Sequence, residues 1–209
     1  MTAPGLSFVH HFEPATDPTE RPLLLLHGTG GNETDLLPLG RAIAPGAALL
    51  SPRGKVLENG MPRFFRRLSE GVFDENDVLR RALELSDFVA EARERYNIAS
   101  PIALGYSNGA NIAAALLLLR PRILSGAVLL RAMPPLASPP EADLAQKPIL
   151  MLSGILDPIA SAQRAQHLAS TLKRAGAAVE VQEIEAGHQL TPADIAIARR
   201  WLASLKATL

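Results

Sequence analysis

The chain has no cysteine. Disulfides, thiolate metal sites and a cysteine nucleophile are excluded together. It also has no net charge, with 21 Lys and Arg set against 21 Asp and Glu. A general nucleic-acid or membrane-surface binder needs a net positive field, so neither kind of partner is expected. Long apolar runs are missing too. The richest, residues 112–119, is closed by Arg120-Pro121 and falls far short of the roughly 20 residues that cross a bilayer. Residues 1–6 have neither a basic nor an apolar stretch, so no secretion signal is read and a cytoplasmic location is expected. There is no internal repeat, linker or low-complexity tract. What remains is 209 residues, 47% of them hydrophobic, which suits one domain over 1–209 with a sizeable core.

Strand and helix patterns alternate along that domain. Residues 6–12 read as an edge strand; His10 and His11 there point to opposite faces and cannot readily share a metal ion. Residues 23–26 are four leucines, as expected of a strand buried on both faces. Residues 33–44 look helical, with Leu36, Leu39 and Ile43 on one face, and 48–52 supply another strand. The connection 53–73 is read as long and irregular. It carries Phe64, Phe65 and Phe73 with five basic residues, and lies where strand ends bind substrates in α/β folds. Asp74 and Asp77 resemble an N-cap pair for a helix with Val78, Ala82, Leu85, Val89, Ala92 and Tyr96 on its buried stripe; Glu84, Asp87, Glu91 and Glu94 form its solvated face. Strands at 123–130, 148–152 and 179–184, a helix at 161–175 and a helix starting at Thr191-Pro192 complete the pattern. The fold class is α/β, a mostly parallel sheet with helices on both faces. About seventeen residues between 130 and 148 leave no room for an inserted cap domain.

The organising stretch is Ile102 to Ala113, an apolar run that enters Gly105-Tyr106-Ser107-Asn108-Gly109 and leaves in an Ala/Leu-rich helix. Gly-x-Ser-x-Gly arises by chance roughly once in fifteen chains of this length, so the strand-to-helix context carries the weight. Side chains at 105 or 109 would collide with the adjoining helix and strand. The turn lifts the Ser107 hydroxyl to a helix N-terminus, where outward N–H groups favour negative charge. A second Gly-rich loop, His27-Gly28-Thr29-Gly30-Gly31, follows the leucine strand. It is either a phosphate cradle or a loop whose N–H groups face a reacting oxyanion. Its spacing fits neither nucleotide motif, and the serine elbow favours the oxyanion.

Two further loops belong to the same sheet edge. Asp157 follows the 148–152 strand and His188 follows the last strand, so the chain order is Ser, Asp, His, the order of hydrolases built on such an elbow. The chemistry needs these types: an imidazole to take the serine proton, and a carboxylate to hold the imidazole's tautomer and stabilise its cation. Two N–H groups must bind the oxyanion, a term worth about 2.7–4 kcal/mol per donor in another enzyme. They are assigned to Thr29 and Asn108. The rivals are weaker: Asp194 caps a helix, Asp143 lies in a Pro-rich connection, His27 precedes the serine, and His167 is a surface residue. Phe64 and Phe65, with Tyr106 beside the nucleophile, are read as pocket-lining.

As a set, the His27–Gly31 loop, the Gly105–Asn111 elbow, Leu156-Asp157-Pro158 and Gly187-His188 resemble the phospholipase/carboxylesterase family of α/β-hydrolases. The elbow and the loop at 59–67 are most similar to its bacterial branch linked to hydroquinone or copper stress. The resemblance implies an α/β-hydrolase fold, no cofactor, no metal, and a Ser107-His188-Asp157 triad acting on a small-molecule ester. With no cap, the site is expected to be open and suited to short acyl chains. Tyr-Ser-Asn and Thr29 depart from the thioesterase relatives, which usually carry Phe-Ser-Gln and an apolar residue. Thioester hydrolysis is the alternative, a non-catalytic small-molecule sensor is a further one, and a lyase or perhydrolase using the same triad stays open. A homodimer through an exposed apolar edge near Leu136, or through the last helix, is a further expectation.

Overall fold

A computed structural model describes residues 6–205; residues 1–5, five of the six on which the secretion-signal reading rests, lie outside them. Seven segments form one sheet: β1 (His10–Glu13), β2 (Leu23–Leu26), β3 (Leu49–Pro52), β4 (Ile102–Tyr106), β5 (Gly126–Leu130), β6 (Pro148–Gly154) and β7 (Ala178–Ile184). Their order is β1-β3-β2-β4-β5-β6-β7, parallel throughout except that β1 runs against β3. Five helices cover it: α1 (Leu37–Ile43), α2 (Glu75–Tyr96), α3 (Asn108–Leu119), α4 (Ala162–Arg174) and α5 (Pro192–Ser204).

Successive strand residues face opposite ways, so the leucines of β2 are divided between two cores. Leu24 and Leu26 pack with α2, α3 and α4, whereas Leu23 and Leu25 pack with α1 and α5. Helix α3 lies deepest, with every residue from Asn108 to Leu118 buried. That explains why its apolar residues run all round it instead of along one stripe. Among the described residues no segment forms a separate cap.

Several boundaries differ from the sequence reading, each for a local reason. Helix α1 starts at Leu37 instead of residue 33, because Pro38 sits in its first turn, the only place where a missing N–H is harmless. Asn32 instead accepts from the Thr34 N–H and hydroxyl, at 2.8 and 2.7 Å. The first strand is shifted to 10–13, where His10 and Glu13 meet Pro52 and Leu49 of β3. Phe8 turns inward onto Phe88, ring centroids 5.0 Å apart. The 53–73 connection is not irregular. It folds as two hairpins, Val56–Glu58 with Met61–Arg63 and Arg67–Ser69 with Val72–Phe73. The first closes through Asn59 and Gly60 at φ 51° and 80°; positive φ at both positions marks a type I′ turn, for which Asn-Gly is the strongest short signal. Leu136, beside which an exposed apolar edge is expected, is itself buried. The large exposed apolar side chains include Leu57, Leu68, Val72 and Leu156.

The tightest packing is at the β4–α3 junction. A Cβ on Gly109 would lie 1.9 Å from the Leu26 carbonyl oxygen, and one on Gly105 would lie 2.6 Å from that of Gly109. Both obstacles are backbone and cannot swing away. Gly109→Ala is therefore expected to cost more than about 3 kcal/mol. Gly60→Ala, which meets nothing within 4 Å but keeps φ 80°, should cost only about 1–2 kcal/mol. Denaturant unfolding of the two variants checks the ranking.

Candidate active site

Ser107 joins β4 to α3 with φ 52° and ψ −114°, a conformation that costs a residue with a side chain about 1–3 kcal/mol. Neighbours on several sides hold it there. Its N–H donates to the Leu130 carbonyl at 2.9 Å, and its own carbonyl accepts from the Asn111 N–H at 3.0 Å. The buried amides of the first helical turn tie the elbow to its surroundings. Asn108 Oδ1 accepts from the Phe64 N–H at 2.7 Å, and Asn111 Oδ1 accepts from the Met133 N–H at 2.9 Å.

The three residues proposed from chain order converge. His188 Nε2 lies 2.9 Å from Ser107 Oγ, and Nδ1 lies 2.8 Å from Asp157 Oδ2. A carboxylate only accepts, so Nδ1 carries the proton and Nε2 is left to accept from the hydroxyl. Asp157 Oδ1 also accepts from the N–H groups of Ile159 and Ala160 at 2.8 and 2.9 Å. Burial pushes this carboxyl's pKa up, but the Ala160 N–H, the His188 ring and the Ile159 N–H together outweigh it. The result lies below the ordinary aspartate value. The rivals are engaged elsewhere. Asp194 accepts from the Thr191 N–H and hydroxyl at the start of α5, at 2.8 and 2.9 Å, and Asp143 accepts from the Ala145 N–H. His167 is exposed on α4.

The Gly-rich loop after β2 faces the same space. His27 is buried; its Nε2 accepts from the Gly54 N–H at 3.0 Å, so Nδ1 donates to the Gly28 carbonyl at 2.6 Å. Burial lowers its pKa and keeps the ring neutral, as a structural group. Thr29 Oγ1 accepts from Arg63 Nη1 at 2.6 Å, and the Gly30 N–H donates to the Pro62 carbonyl at 2.9 Å. The first hairpin thus braces this loop. As the first residue of α3, Asn108 has an N–H without an intrahelical acceptor.

Thr29, Ser107, Asn108 and His188 line one cavity of about 340 Å³, with Tyr106, Phe73, Met133 and Ile159 beside them and Arg63, Arg67 and Glu70 on the hairpin side. Tyr106 is where the sequence places it. Phe64 and Phe65 are not: both are buried in the core, Phe64 against the His27 ring at 4.7 Å and Phe65 edge-on to Phe73 at 5.0 Å. Consecutive aromatic residues gain more from burial than from a wet wall, and the pocket keeps Phe73 instead. Sequence reading missed Asn111, Met133 and Ile159, since nothing in local pattern separates a pocket wall from core. Arg63 could have been found from the Asn59-Gly60 hairpin signal; Arg67 lies in the second hairpin, which that signal does not reach.

The lowered pKa of Asp157 has a pH consequence. Its contribution to stability is complete above the unfolded value of about 3.9 and is lost as pH falls through the lower folded value. Asp157→Asn should therefore lower the thermal midpoint at neutral pH and flatten its decline below about pH 4, measured as melting temperature against pH.

A model of the Phospholipase/Carboxylesterase family matches residues 10–206. MhqD of Bacillus subtilis is 49% identical over 194 residues, covering 92% of this chain and 96% of its own. The crystal structure of the Bacillus cereus carboxylesterase superposes with a TM-score of 0.92 at 46% identity, over 95% of this chain and 94% of that one. A carboxylesterase from Mesorhizobium loti matches with a TM-score of 0.84 at 38% identity, over 88% of each chain. The sheet order, the serine elbow and these likenesses agree: the protein has the α/β-hydrolase fold and belongs to the phospholipase/carboxylesterase family.

Proposed function

We propose that the protein is a cofactor-free serine esterase that hydrolyses small, short-acyl carboxylic esters through an acyl-enzyme. The observation that carries this reading is the unbroken path from Ser107 Oγ to His188 and on to Asp157, at 2.9 and 2.8 Å. In the first step Ser107 Oγ attacks the ester carbonyl carbon while its proton passes to His188 Nε2. Asp157, ionised at neutral pH, stabilises the resulting imidazolium. The tetrahedral oxyanion is received by the N–H groups of Thr29 and Asn108, the family's donor positions. Collapse expels the alcohol, which takes the proton from His188. Water, activated by the same imidazole, then attacks the acyl-enzyme and releases the acid.

Cavity size supports a short acyl group. At about 340 Å³ it is near the small end of ligand sites, and its apolar wall is limited to Phe73, Met133 and Ile159. Arg67 and Glu70 border the same space and are poor company for a long alkyl chain. Oxygen esters are favoured over thioesters because the elbow and Thr29 depart from the thioesterase pattern. A cytoplasmic site of action belongs to the same proposal.

Turnover of p-nitrophenyl acetate and octanoate tests it. Wild type should prefer the acetate in kcat/KM. Ser107→Ala should lose about 10⁴-fold or more in kcat while remaining folded. Undiminished turnover by the alanine variant would remove Ser107 from the mechanism. A preference for octanoate, or for a matched thioester, would reverse the substrate class. Absence of fluorophosphonate labelling on folded wild type would favour a binding protein.

A further inference from the structure

Just past β5 the chain passes through Arg131 at φ 56°, a left-handed conformation disfavoured for a non-glycine residue. Its guanidinium is buried inside the protein, 0% exposed. A buried cation is tolerated only where its donors are matched. All five of its N–H donors are. Nε donates to the Gly187 carbonyl at 2.9 Å. Nη1 donates to the Leu152 carbonyl at 3.3 Å and to Asp194 Oδ1 at 2.7 Å. Nη2 donates to the Gln189 carbonyl at 3.1 Å and to Asp194 Oδ2 at 3.0 Å.

Two of those acceptors, Gly187 and Gln189, flank His188. The carbonyl of His188 itself accepts from the Tyr106 hydroxyl at 3.2 Å. Three consecutive carbonyls of the histidine loop are thus held by side chains from the ends of β4 and β5. The same two strand ends hold the nucleophile, because Tyr106 precedes Ser107 and the Leu130 carbonyl accepts the Ser107 N–H. Serine and imidazole are referred to one frame. Asp194 completes it by gripping Arg131 while capping α5.

We infer that Arg131, held by Asp194 and assisted by Tyr106, is a positioning residue that sets the orientation of the His188 imidazole between Ser107 and Asp157. The inference rests on His188 being the general base. A role limited to stability would not need this side chain, since a buried ion pair can be replaced by uncharged groups at little or no loss. What only a guanidinium supplies is a planar fork that reaches two carbonyls and a carboxylate together.

Arg131→Met combined with Asp194→Asn leaves no unpaired buried charge and keeps a capping acceptor at 194. Tyr106→Phe removes one carbonyl bond without touching a charge. For each, kcat and KM on p-nitrophenyl acetate, the thermal midpoint and the low-field proton resonance of the His188–Asp157 hydrogen bond are measured beside wild type and Ser107→Ala. The double variant should melt cooperatively, lose about 10²-fold in kcat with KM little changed, and show a broadened or absent resonance. Tyr106→Phe should shift kcat and the resonance in the same direction by less, at an unaltered midpoint. A folded double variant with wild-type kcat and an intact resonance would overturn the inference. If the double variant does not fold, wild-type kcat and resonance in Tyr106→Phe overturn it. Activity retained by Ser107→Ala would strike at the esterase reading. An inactive Ser107→Ala beside fully active positioning variants would sink the positioning role alone.

Discussion

The close approach of α3 to the end of β2 is the constraint on which the site depends. Between Gly109 and the carbonyl of Leu26 there is room for hydrogen and nothing larger. That contact draws the first turn of α3 against the strand that continues into the His27–Gly31 loop. Thr29 and Asn108, far apart in the chain, are consequently brought to one cavity with Ser107. The strained backbone at Ser107 follows from the same geometry, since the chain must reverse from strand to helix within one residue. Packing of the buried α3 supplies the energy that holds it there.

Around this junction, polar groups are fixed chiefly by backbone partners. His27 is locked as a neutral tautomer by Gly28 and Gly54, Asp157 is oriented by the N–H groups of Ile159 and Ala160, and Asn108 and Asn111 pin segments on either side. Such bonds leave little freedom for the side chains that meet at the cavity. They also explain how loops can hold Ser107, His188 and Asp157 together: each loop is anchored to a neighbouring strand end, not only to itself.

Much of the architecture could be read in advance because burial leaves a periodic trace. Four consecutive leucines in β2, the stripe of α2 and the Ala/Leu run of α3 each announce how many of their faces are covered. Boundaries were legible only where a residue with one physical role marked them. Asp74 does so, its carboxylate accepting from the Asp77 N–H, whereas the start of α1 is marked only by Pro38 in its first turn. The two hairpins in 53–73 are hidden by short strands and mixed composition, although Asn59-Gly60 carries the signal for the first. Phe64 and Phe65 misled because aromatic side chains suit a pocket and a core equally, and only the surrounding contacts distinguish the two.

By itself the sequence determined the fold class, the serine elbow and the order of Ser107, Asp157 and His188, because periodicity, glycine at a close approach and residue chemistry are local properties. Tertiary structure alone decided how those three meet, which hairpin residues wall the cavity, and that Arg131 lies buried beneath the histidine loop. Its five acceptors come from residues 21 to 63 positions away. No local pattern encodes a partner set so dispersed; it exists only once the strands have paired and α5 has docked.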